Sequence, residues 1–181
     1  MQRRDLNRLA LVWALSAWAR AGPAHASGRR PAGPAWQSNP FALGVASGQP
    51  RPDSVVLWTR LVFAEQDAAW QALPQTVLCE VFADDALRQP VRQWQVDTDG
   101  RRGHSVHVLA QGLQPGRTYW YRFVCGSASS PVGRTRTAPA PDARVPQLRI
   151  GQASCQHYEQ GHYVAHREMA QRDLDFVLFL G

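Results

Sequence analysis

The 181-residue chain is 44% hydrophobic, enough to bury one ordinary domain and part of a second, and too apolar for a disordered protein. Its formal charge of +6 rests on arginine alone, and the absence of lysine excludes a nucleotide-binding P-loop. Without residues 1–26 the excess falls to +3, and the remaining arginines are scattered with no aromatic-interleaved basic run, which argues against nucleic-acid-specific binding.

The chain opens with Arg3 and Arg4, a mostly apolar stretch over residues 9–18, and the small-x-small pattern Ala24, His25, Ala26. This order predicts an export signal peptide over residues 1–26, hence a protein of the periplasm, the cell surface or the extracellular space. The paired arginines point to the twin-arginine route. The apolar run is about half of the ~20 residues a spanning helix needs, so no stable membrane span is expected. Residues 27–39, rich in Gly, Pro and Ser without apolar period, read as a flexible linker.

From residue 40 to 140, short apolar runs alternate with turn residues. Val77, Cys79 and Val81 alternate with Leu78, Glu80 and Phe82, and Ser105, His107 and Leu109 alternate with Val106 and Val108. A period of two indicates half-buried strands, and several of them at roughly ten-residue spacing predict a β-sandwich. Leu113, the turn Pro115-Gly116 and Tyr119 have the arrangement of a tyrosine corner, in which the phenol bonds back to upstream backbone. The run from Leu113 to Phe123 resembles fibronectin type III domains. Of the seven tryptophans, Trp58 and Trp120 are expected in the core.

The cysteines are Cys79, Cys125 and Cys155, with no C-x-x-C pair, which disfavours a zinc ribbon or a thioredoxin-type site. Cys79 and Cys125 fall on predicted strands and are read as either a bridge or two buried thiols. Cys155 follows a predicted strand over residues 147–154 and so stands at a carboxyl end, where α/β sheets place ligands and where a thiolate can hold a transition metal. A loop leads to a predicted amphipathic helix over residues 164–174, and residues 175–181 form an apolar run suited to a buried parallel strand. Together they predict one right-handed βαβ unit whose second strand ends beside Cys155. His162 and His166 have helical spacing but no H-E-x-x-H, and they read as exposed helix histidines rather than zinc ligands. Ser47 and Ser154 lack a nucleophile elbow, so no serine hydrolase is expected and no catalytic residue is assigned.

Six stretches in order, F-x-L-G-V-A-S-G-x-P (41–50), V-L-W-T-R-L (56–61), S-P-V-G-R-T-R-T-A-P (130–139), A-S-C-Q (153–156), Y-E-x-G (158–161) and D-F-V-L-F-L-G (175–181), resemble the PhoD family of alkaline phosphatases and phosphodiesterases. The resemblance implies a mainly β chain: a fibronectin type III-like β-sandwich followed by the first βαβ unit, residues 141–181, of a truncated α/β metallophosphoesterase domain. It implies Fe3+ and Ca2+ in the complete protein, with Cys155 as an iron ligand and the next ligand an aspartate directly after the strand that closes at Gly181. It further implies a phosphate-ester substrate and a monomeric parent. The 181 residues alone are expected to bind no metal and to be inactive. The alternative is a non-catalytic secreted fibronectin-like binding module.

Overall fold

The computed structural model describes residues 33–157 and 159–181. The expected export signal and the first part of the expected linker lie outside the described residues. Eight strands build a sandwich: β1 (Val45–Gly48), β2 (Ser54–Arg60), β3 (Gln75–Phe82), β4 (Pro90–Thr98), β5 (Ser105–Gln111), β6 (Thr118–Cys125), β7 (Ala128–Ser129) and β8 (Gly133–Arg136). One sheet has the order β1-β2-β5; the other runs β4-β3-β6, with β7 and β8 both pairing β6 antiparallel. β7 and β8 share one edge of β6 and act as a single interrupted strand, which gives the three-plus-four arrangement of fibronectin type III domains. The interruption follows from Pro131, which has no N–H to give to a ladder. Ser130 compensates: its Oγ accepts the Phe123 N–H (2.9 Å) and donates to the Pro131 carbonyl (2.7 Å).

The core lies between the sheets and follows the period-two pattern. Val55 and Leu57 of β2 and Val106, Val108 and Ala110 of β5 face Val77, Cys79 and Val81 of β3 and Tyr119, Tyr121 and Phe123 of β6. Gly133 is required by this packing, because a Cβ there would come within 2.4 Å of the Tyr121 ring. Strand parity also corrects one expectation. Trp58 alternates with the inward Leu57 and Thr59, and Trp120 with the inward Tyr119 and Tyr121, so both tryptophans are half-buried on outer faces rather than in the core. The tyrosine corner is formed: Tyr119 is 1% exposed and its hydroxyl accepts the Gln114 N–H at 2.8 Å. Thr137 ties the same turn, donating from Oγ1 to the Gln114 carbonyl (2.6 Å) and accepting the Arg117 N–H (3.0 Å).

Cys79 and Cys125 are two free buried thiols. Cys79 stands opposite Phe123 in the β3–β6 register, which puts Cys125 on the diagonal, two residues along. Diagonal neighbours are roughly 7–8 Å apart, beyond the Cα separation that a disulfide spans.

Residues 33–39, expected within a flexible linker, are docked on the sandwich. Trp36 donates from Nε1 to the Cys125 carbonyl (2.7 Å) and from its backbone to Ser127 Oγ (3.0 Å). Its ring packs on Phe63 and Trp70, at centroid distances of 5.6 and 6.1 Å. Asp67, buried in a 3-10 helix over Glu65–Ala72, accepts the N–H groups of Gln37 and Ser38 at 3.1 and 2.9 Å.

After an exposed segment, residues 141–149, come β9 (Ile150–Ala153), the helix α1 (Val164–Ala170) and β10 (Phe176–Phe179). β9 and β10 pair in parallel, Ile150 opposite Phe176 and Ala153 opposite Phe179, as the sequence pattern predicts. The helix is shorter than expected: it stops at Ala170, and residues 171–174 turn the chain back into β10.

Candidate metal centre

Cys155 lies just beyond the carboxyl end of β9. The Leu180 N–H donates to the Ala153 carbonyl (3.0 Å) and the Cys155 N–H to the Gly181 carbonyl (2.8 Å), so the ladder continues past both strands and ends at the cysteine. There the backbone turns: Cys155 has φ 53°, the left-handed region that L residues other than Asn and Asp seldom adopt. The turn takes the following residues out of the sheet and leaves the cysteine exposed at its rim. Ser154 donates from Oγ to Cys155 Sγ at 3.1 Å. Sequence reasoning assigned Ser154 no part; its place directly before the cysteine was the available signal.

The three thiols divide by environment. Burial pushes Cys79 up to about 12, with Glu80 adding repulsion, and burial pushes Cys125 up to about 11. Neither can serve as a ligand from inside the core. Cys155 is the exposed one.

The neighbouring histidines do not assemble a second donor set. His162 lies before α1, separated from it by Tyr163 at φ 51°, so the helical spacing of His162 and His166 is not realised. His166 is half-buried, stacked on Tyr163 and edge-on to Phe179 at 5.7 Å. His157 and His162 are exposed. A cleft of about 300 Å3 opens between the carboxyl half of β9 and α1, lined by Gln152, Ser154, Gln156, His166 and Glu168 among others. Its carboxylate, Glu168, is paired with Arg172. Among the described residues no three His, Cys, Asp or Glu side chains gather in a way that could hold an ion.

The donor chemistry therefore fits iron in part: a thiolate suits a transition metal. It does not fit calcium, which takes six to eight oxygen ligands that the described residues do not bring together.

Residues 18–139 match the family model of the PhoD-like phosphatase N-terminal domain, and residues 150–181 match that of the PhoD-like phosphatases. The chain is 48% identical over 153 residues to alkaline phosphatase D of Bacillus subtilis (strain 168), an alignment that covers 83% of this chain and 26% of the relative. The solved structure of PhoD superposes with a TM-score of 0.77 at 47% identity, covering 82% of this chain and 28% of the other. The chain thus spans between a quarter and a third of the length of the relatives it matches.

Proposed function

As the chain belongs to the PhoD-like phosphatase family, we propose that it forms the amino-terminal part of an exported metal-dependent alkaline phosphatase or phosphodiesterase that hydrolyses phosphate esters. The order is an export signal over residues 1–26, a sandwich over 40–140 and the start of the metallophosphatase domain from 141. No helix among the described residues is long and apolar enough to cross a membrane.

The observation that carries this reading is the place of Cys155, held at the rim of two parallel strands by the Gly181 carbonyl and supplied with a hydroxyl donor by Ser154. Cys155 would hold the ferric ion; calcium would be held by oxygen ligands outside the described residues. Bound metals supply neutralisation of phosphate charge and acidify the attacking water. This chain's own share is positional. The Cys155–Gly181 bond fixes where the sulfur sits along the rim. The Ser154 hydroxyl orients the sulfur by its hydrogen bond, and β9 and β10 bring two strand ends to one point. One thiolate cannot assemble the site, so the 181 residues by themselves carry no phosphatase activity.

Two measurements test this. Hydrolysis of p-nitrophenyl phosphate and bis-p-nitrophenyl phosphate by the 181-residue chain, with ferric iron and calcium added, is expected to stay at the buffer rate; turnover that disappears in Cys155→Ala would overturn the inactivity. In a longer protein that contains this sequence, Cys155→Ser is expected to lower iron content while calcium content is retained. Unchanged iron in that variant would remove Cys155 from the site.

A further inference from the structure

Two of the family-like stretches, residues 130–139 and 175–181, meet in space. Arg136, the last residue of β8, donates from Nη1 to the Asp175 carboxylate at 2.8 Å. The other oxygen of that carboxylate accepts the Arg149 N–H at 2.9 Å, and the Asp175 N–H donates to the Arg149 carbonyl at 2.9 Å. Arg149 directly precedes β9 and Asp175 directly precedes β10, so this one carboxylate joins the amino ends of both parallel strands to the last strand of the sandwich. No strand of either sandwich sheet pairs with β9 or β10, and the connecting residues 141–149 are exposed throughout.

We propose that Arg136 and Asp175 form a latch that sets the position of the βαβ unit on the sandwich. Through the two strands it also positions the rim that carries Cys155; this last step alone rests on the reading of Cys155 as a ligand. The rim, where the Cys155 N–H meets the Gly181 carbonyl, stands roughly 20 Å from the latch, six residues at the strand rise, so a tilt at the latch is carried to the sulfur. The side chains are 51% and 27% exposed, within reach of solvent and salt. Asp175 is held in place by its two bonds to the Arg149 backbone, so pairing with Arg136 immobilises only one long side chain. An ion pair of this exposure biases the closed position about two- to fivefold, which makes the latch reversible.

The test is amide hydrogen exchange, read by mass spectrometry on peptides covering residues 149–155 and 175–181, in the full chain and in Arg136→Gln, Asp175→Asn and the double variant. Asparagine keeps an acceptor for the Arg149 N–H while removing the charge. Arg136→Gln is expected to speed exchange in both peptides about two- to fivefold, with β3 and β6 unchanged. The double variant should exchange no faster than the faster single one. About 1 M NaCl should speed exchange in the parent chain and have little effect in Arg136→Gln. Exchange in Arg136→Gln equal to the parent, additive effects of the two substitutions, or an equal change in β3 and β6 would each overturn the latch. No metal enters these measurements, so their failure leaves the reading of Cys155 standing, and a failed iron measurement leaves the latch standing.

Discussion

Removing one oxygen atom from the tyrosine corner isolates what that corner contributes. Tyr119→Phe keeps the ring, which is 1% exposed and packed in the core, and deletes the hydroxyl that accepts the Gln114 N–H at 2.8 Å. A neutral hydrogen bond of this kind contributes about 1 kcal/mol net, and a donor left without its acceptor adds a desolvation cost unless water reaches it. Gln114 itself is exposed, so partial rehydration of its amide is available and the penalty is held to about 1–2 kcal/mol. For a chain of this size that is a fall in Tm of roughly 2–8 °C. The assay is urea unfolding followed by tryptophan fluorescence, with Tyr119→Leu as the packing control, expected to lose roughly twice as much or more because ring volume is removed as well. Thr137→Val removes the other tie on the same turn, through the Gln114 carbonyl, and a double variant with Tyr119→Phe should be less than additive because both act on one loop. A loss under about 0.3 kcal/mol in Tyr119→Phe would show that the phenol oxygen is incidental and that ring burial alone fixes the corner.

Thiol reactivity should separate the cysteines. At pH 8 the thiolate fraction of Cys125 is about one in a thousand and that of Cys79 about one in ten thousand, and both are buried, so Ellman's reagent should titrate one thiol per folded chain and three in denaturant. Two fast thiols in the native state would contradict the burial. Alkaline pH should destabilise the sandwich. Burial raises Cys79 from 9.0 to about 12, Cys125 from 9.0 to about 11 and Tyr121 from 10.0 to about 12, so the unfolded chain releases these protons first. Their contribution is intact below about pH 9 and is lost as pH rises toward 11–12. The urea midpoint should fall over that window, and Cys79→Ala should flatten the fall by up to about 1.4 kcal/mol per pH unit; an unchanged slope would refute the assignment.

Much of the sandwich is legible because a strand writes its alternation into the sequence: Val77, Cys79 and Val81 alternate with Leu78, Glu80 and Phe82, and the structure turns the first three into the core between the sheets. Trp58 and Trp120 are expected in the core because aromatic residues at alternating positions of a small sandwich usually lie there, but Leu57 and Tyr121 already fill the inward positions beside them. Residues 33–39 were illegible for a different reason. Their docking rests on backbone N–H groups, one indole and the carboxylate of Asp67 some thirty positions away, and none of these leaves a periodic trace. The rim of the βαβ unit was readable from the strand-loop-helix-strand pattern, down to the neighbourhood of Cys155 and Gly181. What could not be read was local conformation and distant pairing. The left-handed turn at Tyr163 takes His162 off the helix, and the Arg136–Asp175 bond joins residues 39 positions apart.

The βαβ unit is covered on one side only, and this should govern how the chain behaves at high concentration. A Cβ on Gly151 would meet Leu174 Cδ1 at 2.8 Å and Met169 Sδ at 3.3 Å, and Phe179 touches His166, so α1 and the turn after it lie on the Gly151, Ala153, Val177 and Phe179 face. The register puts Ile150 and Phe176 together on the opposite face, with Leu178 two residues along, and these side chains are 51%, 39% and 47% exposed. Parallel strands are ordinarily covered on both faces. A bare apolar patch on the order of 250 Å2, if matched by the same patch of a second copy, gains about 12 kcal/mol at 25 cal/mol per Å2. That gain is comparable with the entropy lost on association, so self-association should be weak but measurable. Sedimentation velocity over a wide concentration range is expected to show reversible association of the 181-residue chain, and Leu178→Lys is expected to abolish it while leaving the unfolding of the sandwich unchanged. A clean monomer at the highest concentration, or a Leu178→Lys chain that associates as the parent does, would show that this face drives nothing and that the open edges of β9 and β10 or the outer tryptophans must be sought instead.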